Sequence, residues 1–237
     1  MNTIFAVIRN PEFVINDKYI SFINSIENLS ESSKIVLINA SSKEIKLNHS
    51  NCEILNTASM ASDLNIYGVI SGYLNMNHMD ENDYVAICNI ENILFTRDPL
   101  LFLKHFDKDL YFYSLSHINN ENTQIKSDYE NFVKTCNFYM GNDFDSLSIG
   151  THFFGGKLSA MKALLLTLFL NVNRNSANTI TSQAVLSYVH KHFYNLFKVQ
   201  MFTNQFCILV DDKNKAESIL EDKELSKKQY AVIYFTS

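Results

Sequence analysis

No stretch of this sequence is apolar for long enough to cross a membrane. The longest run, Ala163 to Leu170, is broken by Thr167 and falls well short of the ~20 residues that a helical span needs. The opening residues, MNTIFAVIRNPEF, hold no basic segment followed by a long apolar one, so no signal peptide is expected. Cysteine is sparse and unclustered. Cys52, Cys88, Cys136 and Cys207 show no C-x-x-C spacing, and they read as reduced core thiols, not as a disulfide framework or a zinc site. Glycine is scarce, and neither G-x-G-x-x-G nor G-x-x-x-x-G-K occurs, which argues against a glycine-rich phosphate loop. Positive charge is in deficit: the net charge of -5 provides no basic face for nucleic acid. Tryptophan is missing altogether, yet Phe and Tyr bring the aromatic content to 13%, more than a disordered chain carries.

What is present is a chain of 237 residues, 46% hydrophobic and 19% charged, enough for one well-buried domain. These features imply a soluble, cytoplasmic protein with no transmembrane segment, and they leave a peripheral membrane contact open. No internal repeat or low-complexity linker interrupts the chain.

Short apolar runs alternate with helix-period segments. TIFAVI, from Thr3 to Ile8, reads as a first central strand that ends at Arg9, Asn10 and Pro11. Apolar residues from Ile15 to Leu29 recur at helical spacing, with Asp17 in the first turn. KIVLIN, from Lys34, is a second buried strand, and Cys52 to Leu55 a third. Ala61 to Leu74 reads as a helix whose Gly68 and Gly72 cost about 1 kcal/mol each against Ala. That cost is tolerable where something packs closely.

The stretch DYVAICNIENILFTRDP, Asp83 to Pro99, organises the rest. A buried strand, Tyr84 to Cys88, breaks into the polar cluster Asn89, Ile90, Glu91, Asn92, then resumes at Ile93 to Phe95 and stops at Asp98-Pro99. A strand that delivers polar side chains at its C-terminal end is how an α/β sheet presents a ligand site. The same cluster also reads as a plain polar turn, and Asp98-Pro99 as a helix N-terminus, where Pro suits the first position. Leu100 to Phe106 follows as a short helix. Leu110 to Leu115 follows as a strand, whose Tyr and Phe alternation suggests a flatter, partly exposed sheet.

Beyond it lie a polar loop, His117 to Ser127, a short helix to Phe138 and a second loop, Gly141 to Ser148. IGTHFFGG, Ile149 to Gly156, reads as a strand ending in a glycine pair and holds three of the six glycines. The pair fits either a substrate wall or close strand–helix packing. Lys157 to Val172 and Thr179 to Phe197 read as helices, Phe202 to Val210 as a strand, Asp211 to Lys228 as a charged helix and Tyr230 to Phe235 as a last strand. His190 and His192 do not share a helical face and make no metal pair.

This order of parts resembles the GT-A fold of nucleotide-sugar glycosyltransferases. The resemblance rests on TIFAVI, DYVAICNIENILFTRDP, IGTHFFGG leading into KLSAMKALL, and SQAVL on a later helix. IGTHFFGG is also reminiscent of the family that includes the blood-group transferases. The resemblance implies one GT-A-like (Rossmann-like) α/β domain over residues 1–237, a mixed sheet flanked by helices. Residues 1–99 would form the nucleotide-binding half, 100–200 the acceptor half, and 201–237 a C-terminal strand and charged helix.

It further implies hexosyltransferase-like activity in polysaccharide biosynthesis, moving a sugar from a nucleoside-diphosphate sugar onto a glycan, a lipid-linked glycan or another hydroxyl acceptor. Ala6, Val7, Ile8 and Arg9 would flank the donor, and Asn89, Glu91 and Asn92 would meet its ribose and diphosphate. Thr151, His152, Gly155, Gly156, Ser182 and Gln183 would line the acceptor side. Glu91, His152 and Gln183 are the candidate catalytic residues.

The family's Asp-x-Asp motif, which holds a divalent ion on the diphosphate, is here Asn89-x-Glu91, or in a shifted register ends on Asn92. Glu91 is then the single candidate metal ligand, and Tyr234 stands near the place where many relatives of this fold supply a histidine. A site of this kind needs no metal, or binds Mn²⁺ or Mg²⁺ weakly. The leaving diphosphate must be met by other groups, for which Arg9, Lys213 and Lys215 are candidates. Asp143 and Asp145 are the nearest carboxylates for an inverting reaction, and a retaining one needs no dedicated base. The alternative reading is a catalytically inactive, glycosyltransferase-like binding or assembly module.

Overall fold

The computed structural model describes residues 1–8, 13–41, 43–46, 50–57, 63–114, 149–173, 185–189, 196–202, 207–210, 218–219, 221–222 and 232–235. Among them lie a seven-stranded mixed sheet and a three-stranded sheet. The strands are β1 (Asn2–Ile8), β2 (Ser33–Asn39), β3 (Cys52–Asn56), β4 (Tyr84–Asn89), β5 (Ile93–Phe95), β6 (Leu110–Ser114), β7 (Ile149–Lys157), β8 (Val199–Phe202), β9 (Cys207–Val210) and β10 (Val232–Phe235). The helices are α1 (Asp17–Ser25), α2 (Asp63–Met76), α3 (Pro99–His105) and α4 (Leu158–Asn173).

The large sheet runs in the order β3-β2-β1-β4-β7-β6-β8. β1, β2, β3 and β4 are parallel to one another, whereas β7 is antiparallel to both β4 and β6. β1 is buried along its whole length, and apolar from Ile4 to Ile8, because it is covered on both faces, as interior strands of parallel sheets are. Its side chains alternate between two cores. Ile4, Ala6 and Ile8 pack with Tyr19 and Phe22 of α1 and with Leu100 and Leu103 of α3. Phe5 and Val7 pack with Ile66, Ile70 and Leu74 of α2 and with Met161, Leu165 and Leu168 of α4.

The helix pair α2–α4 explains one of the two glycines in α2. A Cβ on Gly68 would stand 2.7 Å from the Phe169 ring, so its absence lets the helices meet. A Cβ on Gly72 meets nothing within 4 Å, so close packing does not account for that residue.

Several elements differ from expectation. Leu110, Tyr111 and Phe112 of β6 are buried, because β6 lies between β7 and β8 and is no exposed ribbon. The strand expected over Phe202 to Val210 is divided: β8 pairs with β6 in the large sheet, and β9 pairs with β10 in the small one. Leu164, Leu165 and Leu168 of the apolar run from Ala163 are core, and Leu166 and Leu170 of the same run face outward. The loops and helix expected over residues 117–148, the Ser182 cap and most of the charged segment after Asp211 lie outside the described residues.

Asp98 locks the far side of the anchor stretch. It caps α3, one carboxylate oxygen accepting from the backbone N–H groups of Leu100 and Leu101 at 2.9 and 3.3 Å. Its other oxygen accepts from the Ser30 N–H and from the Ser30 and Ser33 hydroxyls at 3.2, 2.6 and 2.6 Å. The helix-start reading of Asp98-Pro99 therefore holds, with Pro99 in the first turn.

Candidate functional site

The order of the large sheet reverses at β1: β2 and β3 lie on one side, β4 on the other. In open α/β sheets such a reversal leaves a crevice beyond the C-terminal ends of the two diverging strands. Here those ends are Ile8 of β1 and Asn89 of β4, with Val7 and Asn89 in register. The β2 side of this edge is closed by Asn39, whose buried amide is fully used. It donates to the Lys43 carbonyl and the Asn56 side chain and accepts from the Ser41 N–H and hydroxyl.

On the β4 side the chain turns sharply. Asn89 accepts the Glu91 N–H on its side-chain oxygen at 3.1 Å and so caps a single 3-10 turn, Ile90–Asn92. Ile90 drops into the core, and the half-buried Glu91 is left at the surface of a cleft. The opposite wall is the entry to α1. Asn16 caps that helix, its side chain accepting from the Tyr19 N–H at 3.0 Å, and the buried Phe13 and Tyr19 rings meet edge to face at 5.4 Å. The cleft has a volume of about 190 Å³ and is lined by Phe13, Val14, Asn16, Lys18, Tyr19, Ile90 and Glu91. That is smaller than the ~300 Å³ at which ligand pockets usually begin, so it has room for no more than one moiety of a larger molecule.

Its chemistry is mixed. Apolar and aromatic walls suit a flat ring, one carboxylate accepts hydrogen bonds, and one ammonium and one amide donate them. The Tyr19 hydroxyl is buried and has no hydrogen-bond partner among the described residues. Burial, and secondarily the nearby Cys52, push its pKa up to about 12, so it stays a neutral donor.

The other expected site residues divide by their place on the sheet. β7 runs antiparallel to β4, with Cys88 opposite Phe153, so His152 and Thr151 fall at the crevice end, just beyond that pair. There the pairing of β7 with β6 slips, passing from Phe112–Phe154 directly to Tyr113–Gly150, an irregularity of the kind that redirects side chains. Gly155 and Gly156 pair with Ala86 and Val85 and therefore lie toward the opposite end. A Cβ would come within 2.7 Å of the Val85 carbonyl oxygen from Gly155, and within 2.1 Å of the Asp109 carbonyl oxygen from Gly156. Close strand packing accounts for both glycines, toward the end of β4 away from Asn89.

Ala6, Val7 and Ile8 carry no exposed surface, so their side chains belong to the core. None of residues 152–156 lines the cleft. Asn92 belongs to the 3-10 turn, and Tyr234 pairs with Ile93, two residues beyond Glu91. Arg9, Asp143, Asp145, Ser182, Gln183, Lys213 and Lys215 lie outside the described residues.

A divalent ion does not fit the donor set of the cleft. Glu91 is the one carboxylate among its described lining residues, and Lys18 brings a competing positive charge. Among the described residues no three His, Cys, Asp or Glu side chains converge as a metal-holding group. Lys18 is the lining residue that sequence reasoning passed over, because a lysine in the first turn of an amphipathic helix reads as solvated. Among the described residues no helix is long and apolar enough to cross a membrane. Compared with known proteins, the chain matches no family model and no curated sequence.

Proposed function

We propose that this protein is a glycosyltransferase that takes a nucleoside-diphosphate sugar as donor and a glycan or other hydroxyl compound as acceptor. One observation carries the reading. A polar turn, Asn89 to Asn92, closes the strand at the sheet's reversal point and faces a cleft against the start of α1. That is where an α/β sheet holds a nucleotide. In this reading Glu91 accepts hydrogen bonds from donor hydroxyls, Phe13 and Ile90 offer apolar wall, and His152 stands on the acceptor side, across from Asn89 on β7. A fit without divalent metal follows from the single carboxylate.

The test is a thermal-shift series with UDP-, GDP-, CDP- and dTDP-sugars, with and without Mn²⁺, followed by chromatography of the stabilising donor with candidate glycans. Stabilisation by one donor class together with release of its nucleoside diphosphate supports the reading. No shift with any of them sinks it. Stabilisation without turnover favours an inactive binding module instead. The occupied side chain of Asn89, whose oxygen is spent on the Glu91 N–H, is the observation on that side.

A further inference from the structure

We propose that Lys18 is the phosphate-binding cation of the cleft and supplies the charge neutralisation that a divalent ion would otherwise bring. The proposal rests on the nucleotide-sugar reading and adds to it a named group and a metal requirement.

Lys18 and Glu91 line the same cleft from opposite walls, one on α1 and one on the turn after β4. Alone, Glu91 would repel a diphosphate. Paired across the cleft with Lys18 it gives the described lining residues zero net charge and a fixed polarity. Phosphate oxygens belong on the α1 side, and hydroxyl groups on the Glu91 side.

The placement of Lys18 is built in. Its neighbour Tyr19 and the following Phe22 are buried in the core under β1, so α1 cannot roll to carry Lys18 away. The helix end itself is a weak anion site. Asn16 has already taken the Tyr19 N–H, and Asp17 adds a negative charge to the first turn. A side-chain ammonium therefore has to do the binding, as a compact point charge on a long stem with three donors. It is the one cation among the described lining residues.

The test is calorimetric titration of UDP and GDP, and of uridine and guanosine, into wild type, Lys18→Gln and Lys18→Arg, each in EDTA and then in Mn²⁺. The variants are checked by melting temperature, so that a loss of fold is told apart from a loss of binding. The expected result is diphosphate binding in EDTA that Lys18→Gln weakens by about tenfold or more, the loss of one charge-assisted contact. Nucleoside affinity stays within about twofold, Lys18→Arg retains most of the diphosphate affinity, and raised salt weakens wild type more than Lys18→Gln. Equal diphosphate affinity in wild type and Lys18→Gln overturns the role of Lys18 and leaves the donor reading standing. Binding that appears with Mn²⁺ alone also overturns it. Failure of wild type to bind any of these probes, or CDP, dTDP and their nucleosides titrated alongside them, overturns the donor reading itself.

Discussion

At the scale of single residues, the structure separates glycines and carboxylates that a sequence treats alike. Gly72 sits inside α2 with open space where a Cβ would be, so Gly72→Ala should stabilise by about 0.5–1 kcal/mol through helix propensity and a less flexible unfolded chain. Gly156 is the opposite case. A methyl there would overlap the Asp109 backbone oxygen, which belongs to no flexible side chain, and Gly156→Ala should cost more than about 3 kcal/mol. Urea titrations of both variants check the sign difference. If both prove neutral, the tight approach of β7 to the chain before β6 is wrong.

Asp98 stands between these extremes in visibility. Its position before Pro99 announced a helix start, and that much was legible. Its three bonds to Ser30 and Ser33 were not, because they join positions more than sixty residues apart. Asp98→Ala leaves five donors without their acceptor and should lower stability by about 2–4 kcal/mol.

At the scale of elements, the small sheet and the tie among β2, β3 and α2 show why pairing escapes a linear reading. β5 has three residues, ILF, too few to reveal a partner, and that partner is β10 at the other end of the chain. The sequence marks both as apolar runs but says nothing of their meeting. Since β5 follows directly on the Ile90–Asn92 turn, β10 helps to hold the cleft's β4 wall. Val232 of β10 is fully buried, so Val232→Asp introduces an unpaired charge and should cost at least about 3 kcal/mol. Hydrogen exchange should rise first at the Ile93 to Phe95 amides; unchanged protection there would show that β10 does not support the turn.

On the opposite end of the sheet, Lys34 of β2 donates to Glu53 of β3 and, at 2.9 Å, to Tyr73 of α2, whose hydroxyl donates to Glu53 at 2.8 Å. The Lys34 contact holds the Glu53 carboxyl below its ordinary range, against the opposing effect of burial. Burial pulls Lys34 down, but its bonds to Glu53 and Tyr73 outweigh that and leave it above the ordinary lysine range. A lowered carboxyl contributes stability above its unfolded pKa and loses it as pH falls through the folded one. A raised lysine contributes below its unfolded pKa and loses it as pH rises through the folded one. The tie is thus intact between about pH 5 and 10. It is partly exposed, so Glu53→Gln should cost less than about 1 kcal/mol at pH 7. The gap to wild type should narrow as pH falls below the ordinary glutamate range and through the lowered pKa of Glu53, which denaturant titrations at neutral and at acid pH will show.

At the scale of the molecule, the proposed binding cleft and the tightest strand packing lie toward opposite ends of one sheet. The C-terminal ends of β1 and β4 carry the turn and the cleft, while toward the N-terminal end of β4 the packing is so tight that a glycine pair is required. The local concentration of glycine in IGTHFFGG was plain in the sequence. Which end of the sheet it serves depends on β7 running antiparallel to β4, and no residue pattern within β7 states that direction. Lys18 was hidden for the same reason. Its role depends on α1 lying against Ile90–Asn92, a contact between segments some seventy residues apart.

The separation predicts that binding and stability can be changed independently. Glu91→Gln keeps size and shape at a half-buried surface position and removes the cleft's carboxylate, so the melting temperature should stay within about 2 °C of wild type. Affinity for the stabilising nucleotide sugar should fall by about tenfold or more. Gly156→Ala should do the reverse, lowering the melting temperature while leaving affinity within about twofold at temperatures where it stays folded. Both variants, measured by calorimetry against one donor, decide the matter. Loss of affinity in Gly156→Ala with Glu91→Gln unaffected would move the binding site to the other end of the sheet.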